Sequence, residues 1–183
     1  MTGSTQTVSA LTVRQWSQTH VEFHDEYCWS PPPAAVARIV IGVVELVEHA
    51  HERGRAPLGI GPDTVLVTDA GCIRLTAPAD YATTADRATD LAALGALMFF
   101  LSTGIDPDVV GGGVDARARH DRIGRLLDQL SVGNPCASGL APVIRALLHP
   151  EPSCRPDASS VRMMLSGQAP RAGATVQMRL TPR

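Results

Sequence analysis

The 183-residue chain contains no lysine; all 16 of its basic side chains are arginine. Any mechanism that needs a side-chain amine, whether for a Schiff base or for anchoring nucleotide phosphates, is therefore excluded. Aromatic residues make up only 4% of the chain, so a core has to be assembled mainly from Ala, Val and Leu, in thin packing layers. The four cysteines, Cys28, Cys72, Cys136 and Cys154, are widely spaced and form no C-x-x-C pair. That excludes a disulfide-dense secreted scaffold and leaves reduced structural thiols as the expectation. The longest apolar run is interrupted by Arg38, Gly42 and Glu45 before it reaches membrane-spanning length, and the opening MTGSTQTVS has no apolar signal core. A cytoplasmic protein with no membrane partner is expected. Sixteen basic against 18 acidic residues give a net charge of -2, which offers no general attraction to nucleic acid.

What is present suits one compact, mainly helical domain. Residues 1–10 are small and polar and are expected to be disordered, with the ordered domain spanning 11–166 and a tail at 167–183. Leu11 to Tyr27 mixes Val13, Trp16, Val21 and Phe23 with charges, as a short amphipathic helix would. The Pro31-Pro32-Pro33 run stops that segment and opens the next helix. From Ala34 to Arg53, Val36, Ile39, Val40, Val43, Val44 and Val47 recur at three- and four-residue steps, and Gly54 stands where a helix stops. His49 and His51, near the end of this helix, read as C-terminal charges favoured by its dipole. Thr64 to Val67 and Cys72 to Leu75 read as a small hairpin. Asp90 to Leu101 is apolar almost all round, which predicts a helix through the centre of the domain. Helical stretches are expected again over Asp115 to Leu130, Gly139 to Leu148 and Asp157 to Leu165.

Three blocks, in order, carry a family resemblance. His51-Glu52-Arg53-Gly54 closes the long helix ahead of the hairpin Val65 to Leu75. Thr89-Asp90-Leu91 to Leu97 is followed by Thr103-Gly104 and Pro107. Pro150-Glu151-Pro152-Ser153-Cys154-Arg155-Pro156-Asp157-Ala158 forms a late turn. Over roughly residues 33 to 166 this order resembles the C-terminal lobe of a protein kinase. The resemblance implies a helical lobe with one β-hairpin. In the family, the residue matching Asp90 ties the central helix to the catalytic-loop backbone, and the one matching Arg155 pairs with an activation-segment Glu. No such Glu is evident, Asp80 being a displaced candidate, so Arg155 is expected to face solvent or a partner. The phrase Leu94-Gly95 to Pro107 is faintly similar to the kinase domains of bacterial lanthionine synthetases, which implies a role in peptide tailoring.

The same alignment places Pro57-Leu58-Gly59 where the family has His-Arg-Asp, and Gly61 where it has the phosphate-steadying Lys. Thr64 stands for the magnesium-binding Asn, and Ala77-Pro78-Ala79 for Asp-Phe-Gly. Carboxylate and carbonyl ligands for magnesium are thus missing from those positions. The stretch before the long helix is also expected to be too short for an N-terminal lobe. The resemblance therefore implies a pseudokinase with no ATP, magnesium or other cofactor, acting as a scaffold for a protein or peptide. The rival reading is half of a phosphotransferase, completed by an N-lobe on a separate chain.

Two further clusters carry sharper and plainer readings. His20, His24 and Cys28 fall at i, i+4 and i+8, where a continuous helix would align three metal ligands; with no fourth ligand in place, no metal site is expected. Arg117, Arg119, Arg122 and Arg125 form a candidate surface for an acidic partner, although a solvated helix face laced with ion pairs accounts for them more simply.

Overall fold

The computed structural model describes residues 10–20, 22–25, 28–76, 80–81, 84–111, 113 and 115–168. The expectations placed on residues 1–9, on Ala77 and on 169–183 lie outside these residues.

The chain opens with β1 (Ala10–Thr12) and α1 (Val13–Thr19). Thr12 caps α1: its hydroxyl accepts from the Gln15 N–H while the Gln15 side chain accepts from the Thr12 N–H, a reciprocal capping box. The helix stops at Thr19, and Glu22–Asp25 (β2) pairs antiparallel with Cys28–Ser30 (β3). In place of the single amphipathic helix expected over Leu11 to Tyr27, the described residues of that stretch form a strand, a short helix and one strand of a hairpin. His20, His24 and Cys28 consequently share no helix face. Aromatic and β-branched residues at Val21, Phe23 and Trp29 suit a strand as well as a helix, and over so short a segment periodicity does not separate the two.

Helix α2 (Pro33–Glu52) begins on the Pro32 carbonyl, which accepts from the Ala35 and Val36 N–H groups. Its buried stripe is the one read from the sequence: Val36, Ile39, Val40, Val43, Val44 and Val47 are all buried. Gly54, at φ +70°, ends it in a conformation that costs a residue without Cβ little. After the two-residue β4 (Arg55–Ala56) and a loop come β5 (Val65–Thr68) and β6 (Ile73–Leu75). They form the expected hairpin, and β1 adds on its other side to make an antiparallel sheet of order β1-β5-β6. β7 (Asp80–Tyr81) pairs with β4.

Helix α3 (Thr84–Thr103) runs through the core, with Leu94, Leu97, Met98, Phe99 and Leu101 essentially inaccessible. It starts at Thr84, well before the expected Asp90, because its first turns are built from Thr, Ala, Asp and Arg. These residues favour or tolerate helix but carry no apolar stripe to announce it. Four more helices follow among the described residues: α4 (Pro107–Gly111), α5 (Ala116–Leu130), α6 (Pro135–Leu147) and α7 (Ala158–Gln168), with one 3-10 turn at Pro152–Cys154. Helix α6 starts earlier than the Gly139 expected from its apolar residues. Asn134 caps it by accepting from the Ala137 N–H at 3.0 Å, while its amide donates to the Ser102 carbonyl at 2.7 Å. The start of α6 is thereby fastened to the end of α3, against which it makes the most extensive helix packing in the molecule. The architecture is mainly helical with a small antiparallel sheet. No helix among the described residues is long and apolar enough to cross a membrane.

Candidate functional site

Of the positions singled out by the kinase resemblance, Pro57, Leu58, Gly59, Gly61, Thr64 and Asp90 meet at the loop between β4 and β5. Its anchor is Asp90 in the second turn of α3, whose side chain is fully buried. One carboxylate oxygen accepts from the Leu58 backbone N–H at 2.9 Å, and the other accepts from His51 Nε2 at 2.9 Å. Asp90 stands out in the sequence, whereas His51 reads there as a helix-terminal charge and as part of the block that closes the long helix. The signal for its actual role lies in position: at the end of α2 it faces whatever crosses beneath, and a buried carboxylate requires a donor there.

Leu58 itself sits at φ +41°, the only described non-glycine residue in the left-handed region, and is followed by Gly59 at φ +107°. A branched side chain in that conformation costs on the order of 1–3 kcal/mol, sustained by surrounding structure. Here the Asp90 carboxylate supplies that support by holding the Leu58 N–H. Downstream, Ile60 is buried, and the Thr64 hydroxyl lies within hydrogen-bond distance of the Gly59 and Gly61 carbonyls. The Thr64 carbonyl in turn accepts from the Thr76 N–H and hydroxyl, at 3.0 and 3.1 Å. Pro57, Leu58, Gly59, Gly61 and Thr64 thus build a fixed loop, closed by hydrogen bonds to its own backbone.

The remaining polar group of the loop is Asp63. Arg14 from α1 grips it with Nε at 2.8 Å and Nη2 at 2.9 Å, and the Arg14 N–H donates to the Pro62 carbonyl at 2.8 Å. Arg14 also lies 3.6 Å from Asp106 and over the Phe100 ring at 5.0 Å. The Arg14 hydrogen bonds hold the Asp63 carboxyl below its ordinary pKa, against a smaller opposing effect of burial. Lowered in the folded state, this group contributes stability above its unfolded pKa and loses it as pH falls through the folded value. Asp63 is 63% exposed, so solvent screening keeps the effect small. Asp63→Asn is expected to cost under about 1 kcal/mol at neutral pH, a cost that fades as the pH falls through the lowered folded value, read as urea midpoints across an acid titration.

Arg155 lies in the turn ahead of α7. Its Nη1 donates to the Ala88 carbonyl at 2.7 Å and its Nε to the His149 carbonyl at 2.9 Å. Burial lowers its pKa, partly opposed by Glu151. The lack of a matching Glu led to the expectation that Arg155 faces solvent or a partner. Instead the guanidinium ties the late turn to the first half of α3 through two backbone carbonyls.

The four arginines of α5 divide. Arg119 pairs with Asp108 of α4 at 2.5 Å, whereas Arg117, Arg122 and Arg125 are exposed and form no ion pair among the described residues. Asp115 caps the helix, accepting from the Arg117 and Ala118 N–H groups at 2.9 Å. Asp128, further along, pairs with Arg145 of α6. The ion pairs lace α5 to its neighbouring helices and leave three guanidinium groups on the solvent side. No known family model matches this chain, and no curated protein is detectably similar to it.

Proposed function

We propose that the chain is a catalytically inactive, protein-kinase-like helical lobe that works by holding another protein or peptide. The observation that carries this reading is the bond from the Leu58 N–H to Asp90. The kinase resemblance implies a central-helix Asp that holds catalytic-loop backbone, and here a buried Asp holds that loop in place although its chemistry has been replaced. Transfer of a phosphoryl group depends on positioning and on an electrostatic clamp of carboxylates, metal and amine. Leu58, Gly59 and Gly61 offer neither carboxylate nor amine, the Thr64 hydroxyl faces backbone carbonyls, and Asp63 sits in the fork of Arg14. Arg117, Arg122 and Arg125 offer a solvent-facing cationic surface on which an acidic segment of a partner would dock.

Calorimetric titration with ATP and magnesium, combined with a phosphate-transfer assay, tests the loss of chemistry. The expected result is no saturable heat and no transfer. Tight magnesium-dependent ATP binding with turnover would overturn it; if these arose only on adding a second chain that carries an N-terminal lobe, the protein would be half of a phosphotransferase completed in trans.

A further inference from the structure

A cavity of about 370 Å³ lies between α1, the turn joining β5 to β6, and the first turns of α2. Its volume falls in the range of small-molecule sites. Leu11, Ile39 and Val67 supply aliphatic wall. Trp16 adds a flat aromatic surface, with the His20 ring stacked on it at 4.9 Å between centroids and 15° between planes. The His20 Nδ1–H donates to the Trp16 carbonyl at 3.0 Å, which fixes the ring in that stack.

Two side chains that line this cavity carry donors with no acceptor among the described residues. Trp16 is only 7% exposed, yet its indole N–H forms no hydrogen bond among the described residues. A buried indole N–H ordinarily has a partner. Arg38 is exposed and likewise has neither hydrogen bond nor ion pair among the described residues, in contrast with Arg14, Arg119, Arg145, Arg155 and Arg162. Its Nη2 lies only 2.5 Å from where a Cβ on Gly71 would stand. Gly71 is at φ +74°, so glycine there permits both the turn and the guanidinium laid across it. Asp69, on the same turn, also lines the cavity and does not pair with Arg38.

We propose that this cavity binds an apolar monocarboxylate, its flat or aliphatic body on the Trp16, Leu11, Ile39 and Val67 surface and its carboxylate on the Arg38 guanidinium. Guanidinium and carboxylate match in geometry as a two-bond fork. Asp69 disfavours a second negative charge on the ligand. The carboxylate belongs either to a free small acid or to the C-terminus of a peptide ending in an apolar residue. The site stands independently of the kinase resemblance.

The test is a titration of the full ¹⁵N-labelled chain with 3-phenylpropionate, followed at the Trp16 indole N–H resonance and by calorimetry. A saturable shift is expected, with binding about tenfold weaker for the neutral 3-phenylpropionamide and for Arg38→Met. Arg38 is exposed on a helix and Met is a good helix former, so the variant is expected to fold; an unchanged melting curve verifies this. The dicarboxylate phenylsuccinate is expected to bind more weakly than the monoacid. A tetrapeptide ending in Phe separates the sources: binding as tight as the free acid assigns a peptide terminus, and exclusion of the peptide assigns a small acid. No saturation, equal affinity for acid and amide, or full affinity in Arg38→Met overturns the proposal.

Discussion

Replacing Asp90 by Ala is expected to destabilise the protein by about 2–5 kcal/mol, the cost of removing a buried acceptor that serves two donors. The carboxylate is fully buried and serves two donors on different elements, His51 at the end of α2 and the Leu58 N–H in the β4–β5 loop. Without it, neither donor has an acceptor, and each unsatisfied buried donor carries a desolvation penalty of about 1–3 kcal/mol. Set against a total stability of roughly 5–15 kcal/mol for an ordinary domain, such a loss brings the variant close to unfolding at physiological temperature. Urea denaturation measures the cost, and amide exchange at Leu58 locates it. The Leu58 N–H should exchange far faster in Asp90→Ala, since its bond holds a left-handed conformation that a leucine does not otherwise favour. Asp90→Asn retains an acceptor for that N–H and should preserve more of the protection. A cost under about 1 kcal/mol with unchanged exchange would show that the loop is held by its other contacts.

Gly95→Val is expected to cost about 3 kcal/mol, the upper end of the usual range for overpacking. On an exposed helix a glycine replaced by alanine gains about 1 kcal/mol of helix propensity. Gly95, however, faces α6. A Cβ there would stand 2.8 Å from the Cβ of Leu147 and 3.1 Å from Cγ of Leu148. The Leu147 Cβ is tied to backbone and cannot swing away, so α3 and α6 have to separate. For Ala, propensity gain and overpacking are of similar size, and a net change within about 1 kcal/mol is expected. Valine adds two methyl groups with little χ1 freedom in a helix, and nothing offsets them. Denaturant midpoints of Gly95→Ala and Gly95→Val distinguish the cases. If valine proved neutral, the close approach of α3 to α6 would not be a constraint on this fold.

Long elements with one apolar stripe are legible in the amino-acid order. The valine periodicity of α2, the apolar run of α3 and the glycine after each of these helices mark them correctly, because burial of a stripe and a glycine stop are local requirements. Short elements are not legible. β1 exists through its pairing with β5, β4 through its pairing with β7, and the β2–β3 hairpin through a register that a few residues do not announce. The polar first turns of α3 and the Asn-Pro start of α6 escape notice for a related reason: their residues permit a helix without marking it by hydrophobicity.

The chemistry open to the chain is limited by its residues alone. Without lysine, and with Pro57, Leu58, Gly59, Gly61 and Thr64 in the loop, neither an amine nor a carboxylate stands at those positions in any conformation. Asp90 and Arg155 are likewise singled out in the sequence by the kinase resemblance. Which groups they hold is a matter of tertiary structure: Leu58 is distant in sequence from Asp90, as Ala88 is from Arg155, and pairing across such distances follows from how α2, α3 and the late turn pack. The Arg38 cavity belongs to the same category. Leu11, Trp16, Arg38 and Gly71 are scattered along the chain, and they share one wall because β1 pairs with β5 beside the start of α2. Composition limits what the side chains can do; packing decides which of them meet.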